Sequence, residues 1–397
     1  MEPSMKRRGR EEGAVLSDLS AKLKGDLTFS GDSILGSMCS LPHPVSRKVY
    51  HHYLDLNIGD PGLHPGLFGL EKETILMTGR LLGSKEAAGS ILTGGTEANI
   101  LAMWAAKRKG KKRRKVVLPE TSHFSFDKAA DMMDLELCKI PCDSNGRVRS
   151  DLFIAALDNT TMAAVGIAGT TGLGAVDPIE ELSSGCRKLG IPFHVDAAFG
   201  GFVLPFLKEA GYPAGAFDFT LPGVESITLD PHKMGRSAIP AGMLLFRDRE
   251  SAAYSETSVS YLAGGETVQQ SVVGTRSGAS VAAVWATMEH LGIDGYVETV
   301  KTCMERTWYL YERIQKLPGI AAIISPEMNV LGIRPEKVTR EKVMSLDAKG
   351  LAEELRERGW ALSLFPGFLR VTLMPHVSYP MLERFLDDLE QIVQDRS

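Results

Sequence analysis

From residue 115 onward the chain carries short, continuous apolar runs. "KVVLPE", "AAVGIAGTT", "IPFHVDAA" and "ESITLD" lack the in/out alternation of a half-exposed strand, so they predict strands buried on both faces. Amphipathic stretches separate them, among them "SFDKAADMMDL" and "PIEELSSGCRKLG", the second with Gly190 where a helix would stop. Strands alternating with helices predict an α/β fold, a mostly parallel sheet flanked by helices. The pattern changes after "SGASVAAVWATMEHLG". A long helical stretch, "YVETVKTCMERTWYLYERIQKL", leads into "AAIISPEMNVLGI", a helix at "AKGLAEELRERG", strands at "ALSLF" and "LRVTLMPH", and a last helix at "MLERFLDDLEQIVQ". These predict a small C-terminal α+β domain. The expected organisation is an N-terminal segment over 1–60, a large domain over 61–290 and the small domain over 291–397.

Composition narrows the function classes. The 397 residues are 44% hydrophobic and 24% charged, with a formal net charge of -4, which suits a globular chain with a large core and argues against nucleic acid or an acidic membrane as the main partner. One basic run, "KRKGKKRRK" at 107–115, follows a helical pattern and precedes a strand. It reads as a solvated helix end, and no aromatic residues interleave with its charges as they would in a single-strand-binding groove. No apolar run approaches the roughly 20 residues that span a bilayer. The five cysteines, Cys39, Cys138, Cys142, Cys186 and Cys303, make no C-x-x-C pair, so no metal site is expected, and reduced thiols in the cytoplasm are.

The chemistry gathers at strand ends, where open parallel sheets bind ligands. "FHVDAAFGG" ends in Asp196, "ITLDPHK" in His232 and Lys233, and "VGIAGTTGLG" in Thr170 and Thr171; "VVLPETSHFS" runs from a strand into His123. A lysine beside a buried strand is a poor place for an ammonium unless it is paired or reacts. "LTGGTEANILAMWAA" adds a Gly94-Gly95 turn and Thr96, placed to cap the helix that follows, whose free N–H groups suit a phosphate. Each residue taken singly also has a structural reading: Asp196 as a cap, His123 as a loop histidine, Lys233 as a solvated charge. Jointly they suit pyridoxal 5'-phosphate, which needs a lysine for its aldehyde, donors for its phosphate and an acid beside its ring nitrogen.

"HVDAAFGG", "DPHKM", "TGGTEAN", "GTRSGAS" and "NIGDPGLHPG" resemble the group II pyridoxal-phosphate decarboxylases, in particular the archaeal L-tyrosine/L-aspartate decarboxylases, from about Gly36 to Val377. The resemblance implies pyridoxal-phosphate fold type I, the aspartate-aminotransferase-like architecture. It implies that Lys233 bonds the cofactor, Asp196 pairs with the ring nitrogen, and His123 and Ala198 cover the two ring faces. Gly95, Thr96 and His232 would hold the phosphate, with Thr171 close to the ring. The implied assembly is a homodimer in which Gly274 and Thr275 reach the neighbouring subunit's phosphate. Tyr261 falls where relatives carry a mobile catalytic loop, and is equally readable as a surface tyrosine. Arg370 corresponds to an arginine that binds the substrate α-carboxylate, against the plainer reading of a pair with a nearby acid.

The implied reaction is decarboxylation of L-tyrosine to tyramine, for methanofuran, or of L-aspartate to β-alanine, for coenzyme A, with tyrosine slightly favoured. His64 and Arg236 are possible partners for a β-carboxylate. Three rivals share parts of the pattern. Cysteine desulfurases need a loop cysteine, whereas Cys303 falls inside a predicted helix. A phosphosphingosine-lyase-like carbon–carbon lyase, and a catalytically dead cofactor-binding scaffold, stay open as alternatives.

Overall fold

A computed structural model describes residues 5, 7–31, 33–336 and 346–396. Seven strands form the main sheet: β1 (Ala88–Leu92), β2 (Lys115–Pro119), β3 (Glu136–Ile140), β4 (Thr161–Ile167), β5 (Phe193–Asp196), β6 (Val224–Leu229) and β7 (Gly242–Phe246). Their order is β1-β7-β6-β5-β4-β2-β3. β7 runs antiparallel to β1 and β6, and every other pairing is parallel. The carboxyl ends of β1, β2, β4, β5 and β6 therefore share one edge.

Both sheet faces are covered, as continuous apolar runs require. Val116, Leu118, Ala163, Val165, Leu244 and Phe246 pack with Ala98, Leu101, Ala102 and Ala105 of the helix Gly95–Gly110 on one side. Their alternate neighbours Val117, Ala164, Met243 and Leu245 face the other core, with Phe153, Ile179 and Phe202. The four strands expected from continuous apolar runs form. β1, β3 and β7 were not expected, and β3 shows why: as an edge strand it is buried only at Ile140. The helices Ser125–Met133 and Ile179–Lys188 form as the pattern predicts, and Gly190, at φ 64°, follows the second.

The long helical stretch is one element, Gly278–Ile314, broken in conformation at Gly292 (φ 57°, ψ -170°). It joins two cores: Tyr296, Val300 and Cys303 pack with the main sheet, Leu310 and Ile314 with a C-terminal one. There β10 (Ile320–Ala322), β11 (Val330–Pro335), β12 (Ser363–Phe365) and β13 (Phe368–Thr372) make an antiparallel sheet, β10-β11-β13-β12, backed by the helices Ala348–Glu357 and Tyr379–Arg396. Leu35, from the N-terminal segment, completes this core. A separate hairpin, β8 (Thr257–Leu262) and β9 (Gly265–Gln269), stands apart from both sheets. No described helix is long and apolar enough to cross a membrane.

The basic run ends a helix, as expected. The helix stops at Gly110; Lys107 and Arg108 donate to backbone carbonyls, and Lys109, Arg114 and Lys115 pair with Glu225, Asp134 and Asp158.

Candidate active site

The shared strand edge opens into a cavity of about 360 Å³. Gly95, Thr96, His123, Thr171, Asp196, Ala198, His232 and Lys233 all line it, beside Met38, Thr121, Phe124 and Asp230. Residues from Gly95 to Lys233 thus converge because β1, β2, β4, β5 and β6 end side by side. Asp196 is the last residue of β5, whereas Lys233 sits in a turn just after β6.

Lys233 Nζ lies 2.9 Å from Asp230 Oδ2. Burial works against the charged amine, but the carboxylates of Asp230 and Asp196 outweigh it and hold the lysine pKa above its ordinary value. His232 Nε2 is 3.7 Å from the same oxygen, and its Nδ1 accepts the Ala241 N–H at 3.1 Å. Asp230 Oδ1 is buried and has no hydrogen-bond partner.

Asp196 is held from behind by a polar file that sequence reasoning missed. Its Oδ1 accepts the Ala198 N–H at 3.0 Å, and its Oδ2 accepts from Asn99 Nδ2 at 2.9 Å. The same amide nitrogen donates to Ser125 Oγ at 3.0 Å. Asn99 therefore turns Oδ1 toward His194 Nε2, 3.1 Å away, which must carry the proton. Its other nitrogen then accepts from Ser226 Oγ at 2.8 Å. Burial pushes the His194 pKa down to about 3, so the ring stays neutral. Since Ser125 Oγ accepts from Asn99, its own proton goes to His123 Nδ1 at 3.0 Å, and the Ser125 N–H points to the same nitrogen at 3.3 Å. His123, its pKa lowered chiefly by burial, is thereby set as the Nε2–H tautomer. A signal for this file exists in the sequence: His194 and Asp196, like Ser226 and Thr228, are two apart on their strands and share a face.

The glycine turn corrects one expectation. Gly94, not Thr96, is the N-cap, and no side chain caps the helix; Thr96 lies already inside it. Glu97 does the local tying instead, accepting Thr93 N–H at 2.8 Å and Thr93 Oγ1 at 2.7 Å. Its other oxygen accepts the N–H groups of Val272 and Val273 at 3.0 and 3.3 Å, which anchors the segment leading to Gly274 and Thr275. Those two residues are exposed and lie outside this chain's own cavity. Tyr261, on the separate hairpin, is 86% exposed and also outside it.

Arg370, on β13, is buried beside the cavity rather than in its lining. It donates to the carbonyls of Thr171 (2.9 Å) and Gly36 (2.5 Å) and to Ser363 Oγ (2.9 Å), while its Nε has no partner. Its hydrogen-bond partners are thus two carbonyls and a hydroxyl, with no acid, and burial brings its pKa down to about 10. Arg236 turns the other way, into the field of Cys303 and Tyr296 on the long helix, and lines no part of the cavity. His64 precedes the helix Pro65–Leu81, also outside the lining.

The residues present fit pyridoxal phosphate. A lysine amine and a backed carboxylate face one cavity, with the open N-terminus of a sixteen-residue helix beside them. The turn also has no room for larger residues: a Cβ on Gly95 would stand 3.1 Å from the Ala198 methyl and 2.9 Å from Asp230 Oδ2.

Comparison with known proteins agrees. Residues 63–333 match the model of the pyridoxal-dependent decarboxylase conserved domain. An L-aspartate decarboxylase of Thermococcus kodakarensis is 45% identical over 98% of this chain and 98% of its own. A "probable L-tyrosine/L-aspartate decarboxylase" of Methanothrix thermoacetophila is 44% identical over 91% of each. Among solved structures, the Burkholderia pseudomallei sphingosine-1-phosphate lyase Bpss2021 superposes with a TM-score of 0.90 at 27% identity, over 100% of this chain and 93% of that one. Lactobacillus brevis glutamate decarboxylase shares the fold, with a TM-score of 0.89 at 22% identity over 100% and 95%. The chain thus belongs to the pyridoxal-dependent decarboxylase family, as an amino-acid decarboxylase with pyridoxal 5'-phosphate as its cofactor.

Proposed function

We propose that the protein removes the α-carboxylate of L-aspartate, with L-tyrosine as a second substrate. The observation that carries the reading is the convergence of Lys233, Asp196, His123 and the Gly94–Thr96 turn on one cavity. When bound, the cofactor supplies an electron sink for the carbanion left by loss of CO₂. The chain's own residues do the rest. Lys233 would hold the cofactor through its amine, which lines the cavity. Asp196, braced by Asn99 and the Ala198 N–H, keeps a negative charge beside the ring nitrogen and so keeps that nitrogen protonated. His123 and Ala198, which line the cavity with Thr171, would cover the ring, and His123 Nε2–H would be available to move a proton. Gly95, Thr96 and His232 would hold the cofactor's phosphate. Arg370 offers its unpaired Nε–H to a carboxylate.

Aspartate is placed first, ahead of tyrosine, because the 45% identical relative that aligns over nearly the whole chain carries that name. Tyrosine is kept because relatives of comparable identity name both amino acids. We also propose a homodimer in which Gly274, Thr275 and Tyr261 of one protomer complete the other's site. Their exposure outside their own cavity, with that of Phe124 (55%) in its lining and of Val272 (49%), supports this. The test is CO₂ release by cofactor-loaded enzyme from L-aspartate, L-glutamate and L-tyrosine. Aspartate is expected to be fastest. Release from none of them, with cleavage of a phosphorylated amino alcohol, would move the protein to the carbon–carbon lyases.

A further inference from the structure

Asp230 is an acid inside an anion site. Its carboxylate abuts the glycine turn, with Oδ2 and Oδ1 only 2.9 and 3.3 Å from where a Gly95 Cβ would be. It is 3% exposed, Oδ1 lacks any partner, and Oδ2 touches the Lys233 amine at 2.9 Å. A phosphate arriving at Gly95, Thr96 and His232 meets this negative charge, and an aldehyde arriving at Lys233 meets an ammonium that cannot attack it. One proton removes both obstacles.

We propose that Asp230 is a further catalytic residue, the base that takes a proton from the Lys233 ammonium as the cofactor enters. One N–H bond of the ammonium breaks, one O–H bond forms on the carboxylate, and the lone pair returns to nitrogen. Net charge is unchanged, the amine becomes a nucleophile, and the phosphate faces a neutral acid. The titratable groups around Asp230 are Lys233 and His232 on its own turn, His123 after β2, Cys39 of the N-terminal segment, and Asp196 across the lysine from β5. Glu97, on the helix behind, is occupied by backbone amides and the Thr93 hydroxyl. The proposal rests on the reading of Lys233 and the Gly95 turn as the cofactor site.

An internal transfer gives a reactive fraction that does not depend on pH, whereas a lysine that must lose its proton to water becomes about tenfold more reactive per pH unit below its pKa. Cofactor-free full-length protein is mixed with pyridoxal phosphate between pH 6.5 and 8.5, and the rate of covalent capture is read from absorbance. Wild type is expected to vary by no more than about twofold, and Asp230→Asn to climb about tenfold per unit. Inorganic phosphate should bind the variant several-fold more tightly, a loss of repulsion read by its competition with the cofactor. A steep wild-type profile overturns the proposal without any variant, as does a flat profile or weaker phosphate binding in Asp230→Asn. Borohydride trapping and peptide mapping keep the two readings apart: a label on another lysine sinks the cofactor site itself, while a label on Lys233 with the wrong pH profile sinks only Asp230.

Discussion

Asn99 shows how much of the site hangs on a residue that does no chemistry. Its amide serves Asp196, Ser125 and His194 at once, so Asn99→Ala leaves buried donors and acceptors unpaired. The expected cost is about 1–3 kcal/mol of stability, checked by denaturant unfolding, together with a slower enzyme because Asp196 and His123 lose their common brace. An unchanged midpoint and turnover would reduce the file to coincidence. Lys233→Ala should abolish both the visible absorbance of the bound cofactor and multiple turnover. Asp196→Asn should keep the cofactor yet lower decarboxylation by about 100–1000-fold, the scale of a lost electrostatic stabiliser; near-normal turnover would make Asp196 structural.

Strands place these residues, and the glycines between strands set how closely they approach. β7 crosses beneath the Gly94–Gly95 turn so tightly that a Cβ on Gly242 would stand 2.4 Å from Gly94 Cα. Backbone cannot give way as a flexible side chain does. Gly242→Ala should therefore push the Gly94–Gly95 turn outward, an overpacking worth about 1–3 kcal/mol, and weaken the cofactor by about tenfold for each 1.4 kcal/mol. Titration of cofactor-free protein with pyridoxal phosphate reads this directly, and wild-type affinity would show that the turn is not the phosphate seat. The helix that starts there has no side-chain cap, so its first N–H groups stay free for an anion.

At the scale of the whole molecule, buried titratable groups link folding to pH. His194 stays neutral in the fold down to about 3, while in the unfolded chain it takes a proton near 6.5. Between those values the unfolded state binds more protons, so the stability from this histidine is full above about 6.5 and is lost as the pH falls. Urea unfolding at pH 7.5 and 5 should show a smaller acid loss for His194→Gln than for wild type; equal losses would assign the acid sensitivity elsewhere. Assembly gives the other test. If Gly274 and Thr275 complete a neighbour's site, mixing Lys233→Ala with Gly274→Arg chains should restore up to about a quarter of wild-type activity, since half the dimers would be hybrids with one intact site of two. An active monomer in sedimentation would refute it.

The amino-acid sequence by itself determined the parallel α/β core and the small C-terminal sheet, because buried strands and amphipathic helices leave distinct periods. It also singled out Lys233, Asp196 and His123, which stand near strand ends where a parallel sheet gathers ligands. The edge strand β3 was not legible, since a run buried only at Ile140 carries a weak pattern, and β7 was missed although its five residues are all buried. Only the tertiary structure decided which polar groups meet. Asn99 and Ser125 are unremarkable in their local stretches and join His194 in one network when a helix lies across β5 and β6. Asp230 gains its place beside Lys233 and the glycine turn only through packing. Thr96 lies inside the helix instead of capping it, because spacing does not fix where a helix begins, and packing alone turns Arg236 toward the long helix and away from the cavity.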